Sequence, residues 1–179
     1  MPQLSRPTGR VHRSFMAAMA EFRDEGRGEP ADRTVIGDEL REFGERWGTA
    51  EGFAEYVRWL RAQSLEESPR PAGHVPSTTL WWIRDDEYLG RVAIRHRLTE
   101  VLLEVGGHIS YDVRSSARRR GHATAMLGAA LPVARGLGIT SALVMCDVTN
   151  VASRKVIEAN GGVFEDQRGG KLRLWVPTC

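Results

Sequence analysis

Residues 107–123 read GHISYDVRSSARRRGHA, and the fold is organised around this stretch. Its first part, from His108 to Val113, alternates apolar and polar side chains, which predicts a strand. A polar turn and three arginines follow, and Gly121 then opens a long helical pattern. A strand that leads through small residues into a helix leaves the first helical amides without intrahelical acceptors. Because those amides and the helix dipole attract negative charge, the stretch predicts an anion-binding loop.

The segments before this stretch predict helices first and strands afterwards. A short strand is expected near the N-terminus, and apolar residues at helical spacing predict helices from Arg13 and through residues 36–47. Thr49 is a suitable N-cap for a third helix. Alternation and β-propensity then predict a hairpin formed by residues 78–83 and 88–96.

The segments after the stretch predict two more helices and three more strands. The helix that begins near Gly121 contains Pro132, which predicts a bend there. Residues 139–146 are almost continuously apolar, as in a buried strand, and Asn150 leads the next helix. The Gly-Gly pair at residues 169–170 predicts a terminal hairpin. The chain therefore predicts an α/β fold of the α+β type, with a central mixed, largely antiparallel sheet and helices on both faces.

Composition predicts one soluble domain that covers residues 1–179. The net charge of +2 at pH 7 argues against a nucleic-acid partner. The chain lacks an apolar run long enough for a bilayer and an apolar signal-peptide core, so no membrane association is expected. Cys146 and Cys179 make no disulfide framework, and reduced thiols in a cytoplasmic protein are expected. Cys146 lies in the apolar strand and is expected to be inert rather than nucleophilic.

A motif and its surroundings resemble the GCN5-related N-acetyltransferase (GNAT) superfamily. The superfamily motif, Arg/Gln-x-x-Gly-x-Gly/Ala, reads RRRGHA over residues 118–123. A strand ending at Val113 precedes it, a long helix follows, and Asn150-x-x-Ser153 comes after the next strand. The resemblance covers residues 107–164 most strongly and extends to a bacterial subgroup of predicted acetyltransferases. It implies the GNAT fold, acetyl-CoA as the acetyl donor, and no metal.

Carried over residue by residue, the resemblance implies a coenzyme A site. Main-chain groups of residues 111–113 would pair with the pantetheine arm, and the amides of residues 119–124 would hold the pyrophosphate. The implied cofactor-binding residues are Tyr111, Asp112, Val113, Arg118, Arg119, Arg120, Gly121, His122, Ala123, Thr124, Asn150 and Ser153. An ordinary tight turn between strand and helix is the structural alternative.

The acid–base groups are less well determined than the donor site. Many superfamily members have a tyrosine seven residues after the motif asparagine as the general acid, and this chain has Ile157 there. The departing thiolate must then take its proton from another residue, from water, or from the ammonium formed in the reaction. Glu104 and His108 are the candidate bases, because they lie near the start of the central strand. A solvated carboxylate and a hydrogen-bonded structural histidine are their alternatives.

The sequence does not identify the acceptor of the acetyl group. Acidic residues gather around the first helices: Asp24, Glu25, Glu29, Asp32, Asp38 and Glu39. They would suit a cationic acceptor such as an aminoglycoside-type antibiotic or a polyamine, and a solvated surface paired with arginines is the alternative. Residues 24–38 either cover a substrate pocket or form a charged loop. Residues 95–97 (Arg-His-Arg) either shape the acceptor pocket or form a charged strand end.

The leading hypothesis is an acetyl-CoA-dependent N-acetyltransferase. It would transfer an acetyl group by direct attack of a small molecule's primary amine, and inactivation of an aminoglycoside-type antibiotic is one role that fits. A protein or peptide N-acetyltransferase and a coenzyme A-binding module without catalysis are the alternatives. Superfamily members often dimerise, so a homodimer is also open.

Overall fold

The computed structural model describes residues 1–179 and contains seven strands and six α-helices. The strands are β1 (Gln3–Ser5), β2 (Ser77–Arg84), β3 (Glu87–Arg95), β4 (Ile109–Val113), β5 (Ser141–Asp147), β6 (Val163–Arg168) and β7 (Lys171–Pro177). The helices are α1 (His12–Asp24), α2 (Val35–Phe43), α3 (Ala50–Ala62), α4 (Glu100–Glu104), α5 (His122–Gly136) and α6 (Val151–Ala159). Short 3₁₀ turns lie at Gly9–Val11, Arg46–Gly48 and Ser115–Ala117. None of the helices combines the length and apolar character that a bilayer span requires.

All seven strands form one sheet in the order β1-β2-β3-β4-β5-β7-β6. Every neighbouring pair is antiparallel except β4 and β5, which are parallel. These two strands pair at one position only, Ile109 with Val144, whereas β4 pairs with β3 along its whole length. Beyond Ile109 the backbone of β4 is therefore free on the side that faces β5. The largely antiparallel mixed sheet predicted from the sequence is confirmed.

Each face of the sheet carries its own hydrophobic core. One core packs α5 and α6 onto the sheet and includes Trp82, Val92 and Leu127. The other packs α1, α2 and α3 onto the opposite face and includes Trp81 and Phe15. The two neighbouring tryptophans thus point to opposite faces, as side-chain alternation along a strand requires.

Several local expectations are met, and one needs correction. The Thr49 side chain caps α3 by accepting from the Gly52 amide at 3.0 Å. The pattern through residues 36–47 does not form a single helix, because α2 ends at Phe43 and Trp47 lies in a separate 3₁₀ turn. Helix α5 continues through Pro132 to Gly136, and the bend at Pro132 stays a prediction.

Candidate active site

The loop between β4 and α5 has the backbone conformation of an anion-binding turn. Arg119 adopts a left-handed conformation with φ of 59°, and Gly121 does so with φ of 78°. The left-handed region is unfavourable for a residue with a side chain, and such strain concentrates at functional sites. Alternating left-handed and extended residues turn successive amides toward one concave side, which forms a nest for an anion.

Six consecutive amides of this loop are free. The N–H groups of residues 119–124 donate to no carbonyl or side chain of the protein, and the first intrahelical bond of α5 is made by Ala125 to the Gly121 carbonyl at 3.0 Å. Gly121 is the N-cap and offers no side chain in place of a ligand. The loop therefore presents unsatisfied donors together with the positive end of a 15-residue helix.

A carboxylate of α1 fixes the start of this loop. Glu21 accepts from Arg114 Nε at 2.9 Å, from the Ser116 amide at 3.0 Å and from the Ser115 hydroxyl at 3.0 Å. Burial raises the pKa of Glu21, but the hydrogen bonds from Arg114, Ser116 and Ser115 outweigh it and lower the pKa to about 2. The ionised carboxylate thus ties the loop to the helix layer before the free amides begin.

A cavity of about 700 Å³ lies between this loop, β4 and α6. Eleven of the twelve predicted cofactor-binding residues line it, and the exception is Arg120, which is exposed outside it. Arg118 lines the cavity, but its guanidinium pairs with Glu25 and donates to the Val113 carbonyl at 2.9 Å. Arg119 makes no ion pair, so it is the cation left for a ligand. Of the three arginines that the resemblance implied for the cofactor, Arg119 is therefore the one that lines the cavity without an ion pair.

Tyr111 was predicted to use its main chain, but its side-chain hydroxyl also lies in this cavity. Its oxygen lies 2.6 Å from Ser153 Oγ, so the two hydroxyls share a hydrogen bond across the opening between β4 and α6. Burial raises the pKa of Tyr111 to about 12, against the lowering effect of the bond to Ser153. Ile157 is fully buried in the core and does not line the cavity. Strand alternation predicts that the Tyr111 side chain lies on one face of β4. The sequence does not show that this face meets α6, so the contact with Ser153 could not be predicted.

Asp112 points to the other face of β4 and meets an arginine from the loop after α1. Arg27 Nη2 donates to Asp112 Oδ1 at 2.9 Å, and both residues line the cavity. Burial raises the pKa of Asp112, and the nearby Arg27 only partly offsets this. Arg27 belongs to the segment that the sequence analysis considered as a pocket cover. The ion pair brings that segment to the site, and spacing alone gave no signal for it.

Neither sequence-predicted base lies in the cavity. His108 is buried, and its Nδ1 accepts from the Leu143 amide at 2.9 Å. Burial, and then the charge of Arg95, lower the pKa of His108. A proton taken up at Nδ1 would break the bond to Leu143, so the geometry matches the structural alternative. Glu104 is exposed and pairs with Arg168 of β6, which matches the solvated carboxylate.

A second cavity of about 1140 Å³ lies beside the first, on the face covered by α2 and α3. The helices α2 and α3, the loop of residues 63–76, strands β2 and β3 and the α4 segment line it. Arg91 on its floor pairs in the sheet with Asp112, and Ala93 pairs with Ser110. The two cavities are therefore neighbours across one pair of strands. A molecule in the second could reach the point where β4 leaves β5.

A buried ion pair forms the floor of the second cavity. Arg91 donates to both carboxylate oxygens of Glu39, at 2.6 and 3.1 Å, and the Tyr56 hydroxyl donates to the same carboxylate at 2.5 Å. Both charged side chains are less than a tenth exposed. Burial lowers the pKa of Arg91, but Glu39 and its hydrogen bonds more than compensate and hold it well above its usual range. The Arg91 guanidinium therefore stays protonated despite its burial.

Most acidic residues near the first helices already have partners. Glu25 pairs with Arg118, Asp38 pairs with Arg41, and Glu39 pairs with Arg91. Asp32 accepts from the Gly28 and Thr34 amides at 2.9 Å each. Three of the six residues of the acidic cluster are therefore paired with arginines, in line with its structural alternative, while Asp24, Glu29 and Asp32 make no ion pair.

Comparison with known proteins identifies the family. A model of the acetyltransferase (GNAT) domain matches residues 33–163. The chain belongs to the GNAT acetyltransferase family. This GNAT domain is therefore an N-acetyltransferase whose acetyl donor is acetyl-CoA. The family match begins before α2 and ends at β6, so it contains the loop of free amides, the whole lining of the second cavity, and all of the first cavity's lining except Glu25 and Arg27.

Solved GNAT structures share the fold across almost the whole chain. The microcin C7 self-immunity acetyltransferase MccE, in complex with acetyl-CoA and AMP, aligns with a TM-score of 0.62 at 10% identity, covering 98% of this chain and 92% of its own. The PaiA N-acetyltransferase from Thermoplasma acidophilum, in complex with coenzyme A, aligns at 0.60 and 12% identity, covering 99% of each chain. RimJ from Mycobacterium smegmatis aligns at 0.62 and 17% identity, covering 98% of this chain and 84% of its own. No curated protein sequence matches the chain.

Proposed function

We propose that this N-acetyltransferase transfers the acetyl group of acetyl-CoA to the primary amine of a small molecule by direct attack. The observation that carries the proposal is the pair of neighbouring cavities. Five of the six residues with free amides line one of them, and helices and loops close the other on several sides. A concave site of this size is typical of small-molecule binding. A protein or peptide acceptor, which needs an open groove, is the second candidate.

The residues of the first cavity fit coenzyme A. The free amides of residues 119–124 and the guanidinium of Arg119 match a pyrophosphate in charge and donor number. The unpaired side of β4 offers main-chain groups of residues 111–113 to an amide-bearing arm, in the manner of an added strand. Acetyl-CoA supplies there an acetyl group activated as a thioester. Asn150 caps α6 through Oδ1 and also lines the cavity, so it positions the helix beside that arm.

Asp112 is the base in this proposal. Its carboxylate faces the second cavity's side of the sheet, and only Oδ1 is used by Arg27. A carboxylate base needs a pKa raised toward neutrality, and burial provides this at Asp112. Glu104 and His108, which the sequence favoured, lie outside both cavities. Asp112 would accept the amine's proton directly or through one water molecule.

Tyr111 and Ser153 take the place of the missing tyrosine at position 157. Their hydrogen-bonded hydroxyls lie in the first cavity, on the opposite face of β4 from Asp112. With its raised pKa, the Tyr111 phenol stays protonated at neutral pH and can donate a hydrogen bond to a departing thiolate. Base and donor are thereby separated by the strand that would hold the thioester.

The acceptor proposed here differs from a polycation. An aminoglycoside-type acceptor would need free carboxylates in the second cavity. Asp38 and Glu39 there are already paired with arginines, and Glu42 is the remaining lining carboxylate. We retain the small-molecule amine and place aminoglycosides in the test panel as the class expected to react poorly. A cytoplasmic location accords with the two free thiols of Cys146 and Cys179. A homodimer stays a prediction for gel filtration.

The experiment is a comparison of pH–rate profiles. Asp112→Asn should lower kcat about 100-fold and remove the acid limb of the profile, since the limb reports ionisation of the base. His108→Gln keeps an acceptor for the Leu143 amide, and Glu104→Gln removes only an exposed ion pair, so both serve as matched controls. Acetyl-CoA affinity, measured by calorimetry, should stay unchanged in all three. A loss of the acid limb in either control, with Asp112→Asn unaffected, would contradict the assignment.

A further inference from the structure

Guanidinium groups outnumber free carboxylates in the second cavity. Arg41 and Arg91 are paired with Asp38 and Glu39. Three further arginines line the cavity without any carboxylate partner: Arg33, Arg70 and Arg95. Glu42, which is exposed, is the one lining carboxylate without an arginine. The unpaired side chains therefore leave the cavity with an excess of positive charge.

Arg95 is the most informative of the three arginines. It is half-buried, and it uses Nη1 alone, with long contacts to the Gly106 carbonyl at 3.4 Å and the Gly107 carbonyl at 3.3 Å. Its Nε and Nη2 donate to no acceptor of the protein. Burial lowers the pKa of Arg95, and no neighbouring carboxylate compensates for it. Desolvated charges in proteins are normally paired, so this guanidinium lacks an expected partner.

The two other arginines add charge more than free donors. Arg70 donates Nη1 and Nη2 to the carbonyls of Glu66, Gln63 and Leu65, and its remaining nitrogen, Nε, is buried. Arg33 is exposed and donates only to the Pro30 carbonyl at 2.8 Å. Backbone carbonyls position these guanidinium groups without neutralising them. The free Nε and Nη2 of Arg95 form a planar fork of the kind that binds carboxylate and phosphate groups.

We propose that the second cavity binds the acceptor and that Arg95, in the positive field of Arg70 and Arg33, binds an anionic group of that acceptor, a carboxylate or a phosphate. This inference rests on the proposed function, because it names the class of the acceptor. The acceptor carries its primary amine at one end and the anion at the other.

Strand geometry sets the distance between the two ends. Arg95 is four residues from Arg91 along β3, and Arg91 pairs with Asp112. At about 3.3 Å per residue, the anion site lies roughly 7–13 Å along the sheet from the point between Ser110 and Asp112 where the amine would react. The acceptor is therefore an extended molecule, such as an ω-amino acid, a short peptide or an aminoalkyl phosphate. An α-amino acid places its amine and carboxylate too close together.

The first test measures binding without catalysis. Hexanoate, hexyl phosphate and hexanamide share a chain and differ in the end group, and their affinities are measured by ligand-observed NMR with the coenzyme A-bound protein. Wild type and the control Arg135→Met, an exposed arginine outside both cavities, should bind hexanoate or hexyl phosphate at least about tenfold more tightly than hexanamide. Arg95→Met should lose most of that preference, because Arg95 supplies the free, half-buried donors while Arg70 and Arg33 contribute charge. Equal affinities in wild type, or an anion preference in Arg95→Met as large as in wild type, would overturn the proposal.

Two further measurements separate the outcomes. Arg95→Lys keeps the charge, so it should keep part of the anion preference. The melting temperature of Arg95→Met shows whether its loss of the anion preference reflects misfolding. Thiol release is then compared for 6-aminohexanoate, 6-aminohexyl phosphate and 6-aminohexanamide. The ranking of the first two distinguishes a carboxylate from a phosphate acceptor. If none of the amines gives thiol release, the proposed function is refuted. An anion preference in the NMR experiment would still support the anion site in that case.

Discussion

Replacing Gly121 by aspartate tests the anion-binding loop through charge alone. Gly121 has a left-handed backbone, and a Cβ built there would meet nothing within 4 Å. The substitution therefore causes no clash inside the protein. Asparagine and aspartate both tolerate the left-handed region better than other residues, so the strain is small and similar for the two. Gly121→Asn is thus the matched control, since it has the shape of the aspartate without its charge.

The expected loss follows from Coulomb's law. An aspartate at Gly121 would lie roughly 6 Å from a pyrophosphate held by the free amides, and that group carries about two negative charges. At the dielectric constant of water the repulsion is about 1.4 kcal/mol, and at an effective value near 20 it is about 5.5 kcal/mol. The lower bound already corresponds to a tenfold loss of affinity. We therefore expect Gly121→Asp to bind acetyl-CoA at least about tenfold more weakly than Gly121→Asn.

Titration calorimetry at two salt concentrations provides the measurement. The difference between the two variants should shrink as salt rises, because an exposed loop is screened within about one Debye length. Both variants should melt within a few degrees of each other. If aspartate and asparagine at position 121 bind acetyl-CoA equally well at low salt, the loop does not hold the pyrophosphate.

Two further predictions concern buried and half-buried carboxylates. Glu39→Gln should destabilise the protein by about 3–5 kcal/mol in urea unfolding, because the buried Arg91 loses its charge partner. The control Asp38→Asn breaks an exposed pair and should cost less than about 1 kcal/mol, and equal costs would contradict the burial argument. Glu21 has its pKa lowered from 4.5 to about 2, so its contribution is present above pH 4.5 and is lost as pH falls toward 2. Glu21→Gln should remove up to about 3 kcal/mol of that pH-dependent stability, and an unchanged acid-unfolding curve would contradict this.

The fold was largely predictable because each local signal agreed with the next. The alternation of residues 108–113, the cap at Thr49 and the Gly-Gly turn at residues 169–170 all match observed elements. The error at Trp47 has a plain cause. A helical spacing of apolar residues describes a buried face, and a 3₁₀ turn can supply the last member of that face after the helix has ended.

The loop of free amides was predictable from the sequence, while the contacts of Tyr111 and Asp112 were not. Free amides and a motif lie in one continuous stretch, so sequence order already places residues 119–124 together. The pairs Tyr111 with Ser153 and Arg27 with Asp112 join distant segments. Periodicity tells which residues share a face, but it does not tell what that face meets.

The charge of the acceptor region was also not predictable from the sequence, because it depends on contacts between distant segments. The sequence displays an acidic cluster near the first helices, which suggests a cationic ligand. The folded chain pairs Glu25, Asp38 and Glu39 with arginines and leaves other guanidinium groups, such as that of Arg95, without carboxylates. Net charge of a segment thus misleads when its partners come from elsewhere in the chain.

Coupled product formation is the measurement that tests the central claim most directly. The protein is incubated with acetyl-CoA and 6-aminohexanoate, and free coenzyme A thiol and N-acetylated amine are quantified in the same samples. We expect one molecule of free thiol for each molecule of acetylated amine with wild type and with Gly121→Asn. With Gly121→Asp, both products should form far more slowly. If acetyl-CoA binds to the wild type and no amine in the panel yields thiol or acetylated product, the assignment of catalysis to these two cavities is contradicted.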